Sequence, residues 1–275
     1  MEIARMIRGR SRESAAVDRL VRLWQDGAYE ELEAGARELQ AQAGRLRGRE
    51  QRLVWEQCAR AMATGAACAL GRGARVLPEL ESLTAELRQT PGTSAQQLSL
   101  MVRSNRMVVL AEAGRHAEAE AEGLDILRGV TRLKHLAPVW DIELSVLDNL
   151  VAVLCAQGRH EEAEAIARGN LPRAEGTSLA ALHCGLVRSL TGQGRYEEAL
   201  AEARRYTPPR VRAHSGGLDL ATAETLHGLG RRDEAETVAR RAVSDCERFL
   251  HPEHPRIPRA RALLAEITRE DPESR

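Results

Sequence analysis

The sequence has few aromatic residues and almost no lysine. Phe, Trp and Tyr make up 3% of the 275 residues, whereas apolar residues make up 43%. A hydrophobic core therefore has to be built from Leu, Ala and Val. Lys134 is the only lysine among 40 basic residues, and 40 acidic residues balance them. Because the net charge is zero, the chain as a whole has no electrostatic attraction to nucleic acid or to an anionic membrane.

Long apolar runs and paired cysteines are also missing. The longest uncharged run, residues 89–102, is rich in Gln, Ser and Thr and shorter than the ~20 apolar residues that a membrane-spanning helix needs. No apolar stretch follows the basic start of the chain, so no secretory signal is expected. The five cysteines are widely spaced and form no C-x-x-C pair. This pattern favours reduced thiols in a cytoplasmic protein.

A short pattern around a glycine recurs along the chain. It reads DGAYEEL at 26–32, AGRHAEA at 113–119, QGRHEEA at 157–163, QGRYEEA at 193–199 and LGRRDEA at 229–235, with a degenerate copy, LGRGARV, at 70–76. The steps between successive glycines, at 27, 71, 114, 158, 194 and 230, are 44, 43, 44, 36 and 36 residues. Periods of this size indicate a repeat architecture.

Each part of the repeated unit has a physical role. An apolar stripe at helical spacing precedes each glycine, as in residues 147–154 before Gly158. The glycine can end that helix, because the position after a helix often needs a left-handed backbone. Acidic residues such as Glu161 and Glu162 then fall in the first turn of a new helix, where negative charge is favourable. The small residue five positions after the glycine lets the two helices approach closely. The unit is therefore a helix–turn–helix hairpin that must stack on its neighbours to bury its apolar face.

The pattern G-[RA]-[YHR]-x-E-[AL], with an apolar helix before it, resembles the tetratricopeptide repeat over residues 14–267. The longer steps are similar to kinesin-light-chain-like arrays of actinobacteria, and HPEHP at 251–255 matches their G-P-x-H-P connector except at the first position. The resemblance implies an all-α fold, a right-handed superhelical α-solenoid of about six helix–turn–helix hairpins plus a C-terminal capping helix. We expect a mobile basic arm over 1–12, the repeats over 13–250, and a connector, capping helix and polar tail over 251–275.

Helical periodicity and turn signals predict thirteen helices and a flexible connector near residues 207–217. The predicted helices are 13–25, 28–46, 49–70, 75–89, 95–113, 116–135, 139–157, 160–174, 178–192, 195–206, 217–229, 231–249 and 256–270. The tryptophans Trp24, Trp55 and Trp140 are expected in the core or at helix caps.

Catalytic and metal-binding patterns are incomplete. A phosphate-binding loop needs Gly-Lys-Ser/Thr, but the single lysine is followed by His135. Residues 213–217 resemble a hydrolase nucleophile elbow around Ser215, yet no strand precedes them. His251 and His254 lack further ligands nearby in the sequence, and the intervening prolines favour a connector over a zinc site. We therefore predict no catalytic residues, cofactor or metal, and no enzymatic activity.

The resemblance places the candidate binding surface on the first helix of each hairpin, which lines the concave groove of such arrays. The residue nine positions before the turn glycine faces that groove and is typically Asn. Here it is Asn105 and Asn149, then Gly185 and Ala221 in the later repeats. An Asn side chain can bond a peptide N–H and C=O together. The predicted partner-binding residues are Asn105, Asn149, Asp148, Arg188, His183 and Arg103. The groove is not uniformly basic, so a dedicated carboxylate clamp is not indicated.

The predicted function is therefore a protein–protein or protein–peptide interaction scaffold that holds its partner in the concave groove. A peptide- or metabolite-sensing regulatory repeat protein is the alternative, and an enzyme subunit a minor one. The expected partner is a protein or peptide, with no nucleic acid and no membrane.

Overall fold

In a computed structural model, the described residues are 12–44, 48–207, 212 and 215–269. Residues 1–11 of the predicted basic arm and 270–275 of the predicted polar tail lie outside them. Residues 208–211 and 213–214 of the predicted connector also lie outside.

The described residues form α-helices and no strand, so the predicted all-α fold is confirmed. Thirteen helices lie within this part of the chain: α1 (Arg12–Gln25), α2 (Tyr29–Ala43), α3 (Arg49–Ala69), α4 (Gly73–Gln89), α5 (Thr93–Glu112), α6 (His116–Leu133), α7 (Trp140–Ala156), α8 (His160–Asn170), α9 (Gly176–Gly192), α10 (Tyr196–Arg205), α11 (Gly217–Gly228), α12 (Arg232–Phe249) and α13 (Arg256–Thr268).

One predicted helix is shorter than expected. The sequence predicts a helix over 160–174, but α8 ends at Asn170 and a 3₁₀ turn covers Leu171–Arg173. Pro172 explains the difference. Proline has no N–H to donate within a helix, and it disfavours the helical backbone of the residue before it.

The repeated glycine ends the first helix of each hairpin as predicted. All six turn glycines have φ between 70° and 77°. At Gly158 the backbone N–H bonds the carbonyl of Cys155 at 3.1 Å, and the N–H of Arg159 bonds that of Leu154 at 2.9 Å. The same two bonds recur at the other five turns. This is the Schellman motif, which satisfies carbonyls at a helix end and needs a left-handed residue at the glycine position.

The arginine after the glycine holds the start of the next helix. Both Nε and Nη2 of Arg159 donate to the Glu162 carboxylate at 2.6 Å. Equivalent two-point pairs join Arg115 to Glu118, Arg195 to Glu198 and Arg231 to Glu234. These pairs are largely exposed, so each contributes little to stability. Their role is local, because they fix the side chains around the first turn.

Small residues let the two helices of a hairpin pack closely. The alanines five positions after the turn glycines, Ala119, Ala163, Ala199 and Ala235, are all 0% exposed. Leu, Ala and Val make up most of the buried apolar residues around them, as the composition predicted.

The chain divides into two compact units, residues 1–146 and 147–275, and the division falls inside α7. In each hairpin, the helix before the turn glycine is named the first helix and the helix after it the second helix. In the first unit α1, α3 and α5 are first helices that pack on one another as well as on the second helices α2, α4 and α6. In the second unit α9 and α11 pack in the same way against α8, α10 and α12.

The helix α13 packs on both α11 and α12. It therefore takes the position of a further first helix without a second helix of its own, as predicted for a capping helix. None of the described helices is long and apolar enough to cross a membrane.

Candidate partner-binding face

The first helices of the first unit bring one residue each close together. Gly65 of α3 lies between Trp24 of α1 and Asn105 of α5. A Cβ atom built on Gly65 would lie 3.2 Å from Asn105 Nδ2 and 3.3 Å from Trp24 Cζ3. The tryptophan ring packs edge-on against Tyr29, with centroids 5.6 Å apart. Trp24 and Asn105 are half-buried, so this surface combines an aromatic ring with an amide.

The amide of Asn105 is available to a ligand. It forms no hydrogen bond to any of the residues that the structure describes. Asn149, at the matching position of α7, is likewise half-buried and without such a bond within the described ranges. A carboxamide offers two donors and an acceptor, so both side chains can receive a partner's backbone.

Arg103 lies on another side of α5 from Asn105. The two residues are two positions apart, which is about 200° around a helix. Arg103 is buried, and its Nε and Nη2 donate at 2.7 Å to Glu122 and Asp125 of the second helix α6. The structure therefore uses this predicted binding residue inside the hairpin and does not bring it to the surface that Asn105 shares.

His183 is also engaged within its own hairpin. Its ring stacks on Tyr206 with centroids 4.5 Å apart, and its Nδ1 lies 3.1 Å from Glu202 Oε1 of α10. Burial lowers the pKa of His183, while the Glu202 carboxylate acts in the opposite direction. The imidazole thus packs against the second helix instead of the exposed side of α9.

Asp148 stands next to Asn149 but in a different environment. Burial raises the pKa of Asp148 well above its usual value, and a hydrogen bond with Ser178 of α9 partly opposes this shift. The carboxyl group thus links α7 to α9 and is easier to protonate than an exposed aspartate.

Arg188 of α9 faces the neighbouring first helices. Its Nε lies 3.9 Å from Glu224 Oε2 of α11, and Arg259 of α13 donates to the other oxygen of the same carboxylate at 2.8 Å. Arg188 is therefore the predicted site residue of the second unit that belongs to a charged cluster on the first helices.

Sequence reasoning missed three residues of these surfaces. Glu224 precedes Gly230 by six positions, as Arg188 precedes Gly194, so extending the repeat register would have found it. No turn glycine follows Arg259, so counting positions back from a turn glycine could not identify it. Trp24 was expected in the core or at a cap, whereas it is half-buried beside Gly65.

Comparison with known protein families matches the same helices. Two family models described as tetratricopeptide repeat match the chain, one at residues 144–175 and 223–256 and the other at 100–122 and 180–205. The chain contains tetratricopeptide repeats. Each matched segment begins within a first helix. Three of the segments reach or pass the end of the second helix that follows, and the segment 100–122 ends within α6. Three of the matched segments together contain all six predicted binding residues.

Solved structures that are similar to the chain have low sequence identity to it. A Rap protein complexed with competence and sporulation factor superposes with a TM-score of 0.68 at 13% identity, covering 93% of this chain and 70% of that one. PlcR of Bacillus thuringiensis, in complex with the peptide PapR7 and DNA, gives a TM-score of 0.44 at 17% identity, covering 94% and 75%. No curated protein sequence matches the chain. The first comparison supports the fold of a helical-repeat solenoid.

Proposed function

We propose that the chain is a non-catalytic scaffold that binds a protein or an extended peptide on the exposed side of its first helices. The observation that carries the proposal is the pair of matched amides, Asn105 and Asn149. They occupy the same position of two tetratricopeptide repeats, they are half-buried, and neither bonds another described residue. Such amides can hold a peptide backbone whatever its side chains are.

The surroundings of Asn105 support an extended ligand. Trp24 and Asn105 both lie against the buried Gly65 and are themselves half-buried, so an apolar side chain of a bound peptide can rest on the ring while its backbone bonds the amide. The Rap protein with the same fold was crystallised with competence and sporulation factor, which favours a peptide as the ligand class here.

The surroundings of Ser215 support a connector and not a catalytic nucleophile at this position. Ser215, the candidate nucleophile of the sequence, directly precedes the left-handed Gly216 and the start of α11. Its carbonyl accepts a bond from Arg256. The position is that of a helix-start connector.

The test is the retention of short random-sequence peptides by the immobilised chain, with identification by mass spectrometry. The chain is compared with the Asn105→Ala, Asn149→Ala double variant. The control is Gln42→Ala, which removes an exposed amide from the second helix α2. We expect the double variant to lose the retained peptides and the control to keep them. Equal retention by all three proteins would show that neither amide contributes to peptide binding.

A further inference from the structure

The exposed side of the second helix α6 differs from that of the other second helices. In four of the other five hairpins, the third residue after the turn glycine is acidic and the tenth is arginine. These pairs are Glu30 and Arg37, Glu161 and Arg168, Glu197 and Arg204, and Asp233 and Arg240. The degenerate turn at Gly71 keeps Glu81 at the tenth position. In α6 the two positions hold Ala117 and Leu124, so neither is charged.

The two uncharged positions belong to one stripe of α6. Ala117, Ala121 and Leu124 are spaced by four and three residues, so they share one side of the helix. All three are exposed, and Leu124 is 46% exposed. An exposed apolar stripe at positions where the repeat otherwise carries charge indicates a helix that packs against another protein.

The charges of α6 are divided about its midpoint. The helix spans His116–Leu133, so Leu124 lies at its centre. Glu118 is exposed in the first half, and Arg128 and Arg132 are exposed in the second half. Acidic residues early and basic residues late are favourable in any helix, and the other second helices of the second unit have them too. In α6, however, an apolar centre separates the two halves.

The basic end of α6 is not paired within the part of the chain that the structure describes. The side chains of Arg132, Lys134 and His135 are exposed and form no hydrogen bond or ion pair with another described residue. The next residue, Leu136, is 71% exposed. Carboxylates supplied by another molecule would therefore be favourable beside this end of the helix.

We propose that this side of α6 is the interface of a symmetric dimer, in which α6 of a second copy of the chain lies antiparallel across it. A two-fold axis at Leu124 packs the two leucines together. The small side chains of Ala117 and Ala121 let the two helices approach closely. Arg128 and Arg132 of each copy then lie beside the acidic half of the other copy. A parallel arrangement would instead place like charges opposite one another.

A second copy fits this surface better than a uniformly anionic partner does. An anionic membrane or a nucleic acid would attract the basic half of α6, but the acidic half, with Glu118, would repel it. The antiparallel copy complements both halves at once. The interface lies on a second helix and does not depend on the proposed function. A dimer would carry two of the proposed peptide-binding faces.

The expected dimer is weak. The contact is a pair of 18-residue helices, which is smaller than the ~1,200–2,000 Å² that stable interfaces bury. We expect a Kd of about 10–100 µM. Sedimentation equilibrium of the chain from about 1 to 500 µM covers this range. A monomer at every concentration would overturn the inference and leave the proposed scaffold in place.

The Leu124→Arg variant tests the centre of the interface. Two arginines would face each other at the two-fold axis, so the Kd should rise at least about tenfold. The variant is expected to fold, which circular dichroism checks, because arginine stands at the same position in α8, α10 and α12. The matched control is Ala201→Arg, which adds the same charge to the exposed side of α10. Dimerisation that survives Leu124→Arg would overturn the inference.

Two charge-reversed variants test the pairing of the halves. In Arg128→Glu, Arg132→Glu both halves of α6 are acidic, and in Glu118→Arg, Glu120→Arg both are basic. Each variant alone should be monomeric, whereas an equimolar mixture should form a dimer. Two folded variants that do not associate when mixed would contradict the charge pairing.

Cysteine cross-linking tests the orientation. Under mild oxidation Leu124→Cys should form an intermolecular disulfide, since the two copies of this position meet at the axis. In Ala117→Cys the two thiols would be about 21 Å apart, because each lies seven residues from the axis, and a disulfide spans only ~7 Å between Cα atoms. The wild-type chain controls for the native cysteines. Equal cross-linking of the two variants would refute the antiparallel dimer.

Discussion

Gly185 marks a close approach between α9 and α7, and substituting it tests how tightly the repeats of the second unit pack. A Cβ atom at this position would lie 2.4 Å from Cγ1 and 3.4 Å from Cβ of Val151. Val151 is 0% exposed, and its β-branched side chain has little rotational freedom in a helix. The Gly185→Ala variant must therefore push the two helices apart or strain the valine.

The expected net effect is a loss of stability. Overpacking a core costs about 1–3 kcal/mol. Replacing a glycine inside a helix by alanine raises the free energy of unfolding by about 0.5–1 kcal/mol. We therefore expect Gly185→Ala to lower the free energy of unfolding by about 0.5–2 kcal/mol. The matched control is Gly169→Ala in α8, where no atom lies within 4 Å of the added Cβ. It should raise the stability by about 0.5 kcal/mol.

A double-mutant cycle tests the cause. Val151→Ala removes the methyl group that the new Cβ would meet, so Gly185→Ala should cost less in that background, with a coupling of about 1 kcal/mol. The free energies come from urea unfolding followed by circular dichroism. A stabilising Gly185→Ala, or additive effects of the two substitutions, would refute the close approach.

Three further predictions concern charge and burial. Arg103→Gln should destabilise the chain by about 3 kcal/mol, because it leaves Glu122 buried with less compensation; a urea-unfolding change near zero would contradict this. Burial raises the pKa of Asp148 in the folded chain, so ionisation destabilises the fold. Asp148→Asn should therefore increase stability by a margin that is absent below about pH 4 and grows as pH rises through the folded pKa, measured by unfolding across pH. Burial raises the pKa of Cys58 and of Cys68 to about 12, so Ellman's reagent at pH 8 should modify these two thiols slowest, and a Cys58→Ser, Cys68→Ser variant should lose only the slow phase.

The sequence by itself determined the hairpins, because their signals are local. A left-handed turn residue, an apolar stripe and a small residue five positions after the glycine act within one or two helical turns. The thirteen predicted helices therefore agree with those of the structure to within about a turn at each end. The helix over 160–174 differs only where Pro172 ends it. Asn105 and Asn149 could be selected for the same reason, since their positions are counted from the turn glycine.

The tertiary structure decided which side chains are available to a partner. Arg103 and His183 look equivalent to Asn105 and Arg188 as polar residues on first helices, yet packing places them against second helices, where carboxylates already bind them. The cluster of Arg188, Glu224 and Arg259 joins three helices separated by 35 or 36 residues in sequence. No local pattern fixes such an arrangement, because it depends on how successive first helices pack side by side and on where the capping helix α13 lies.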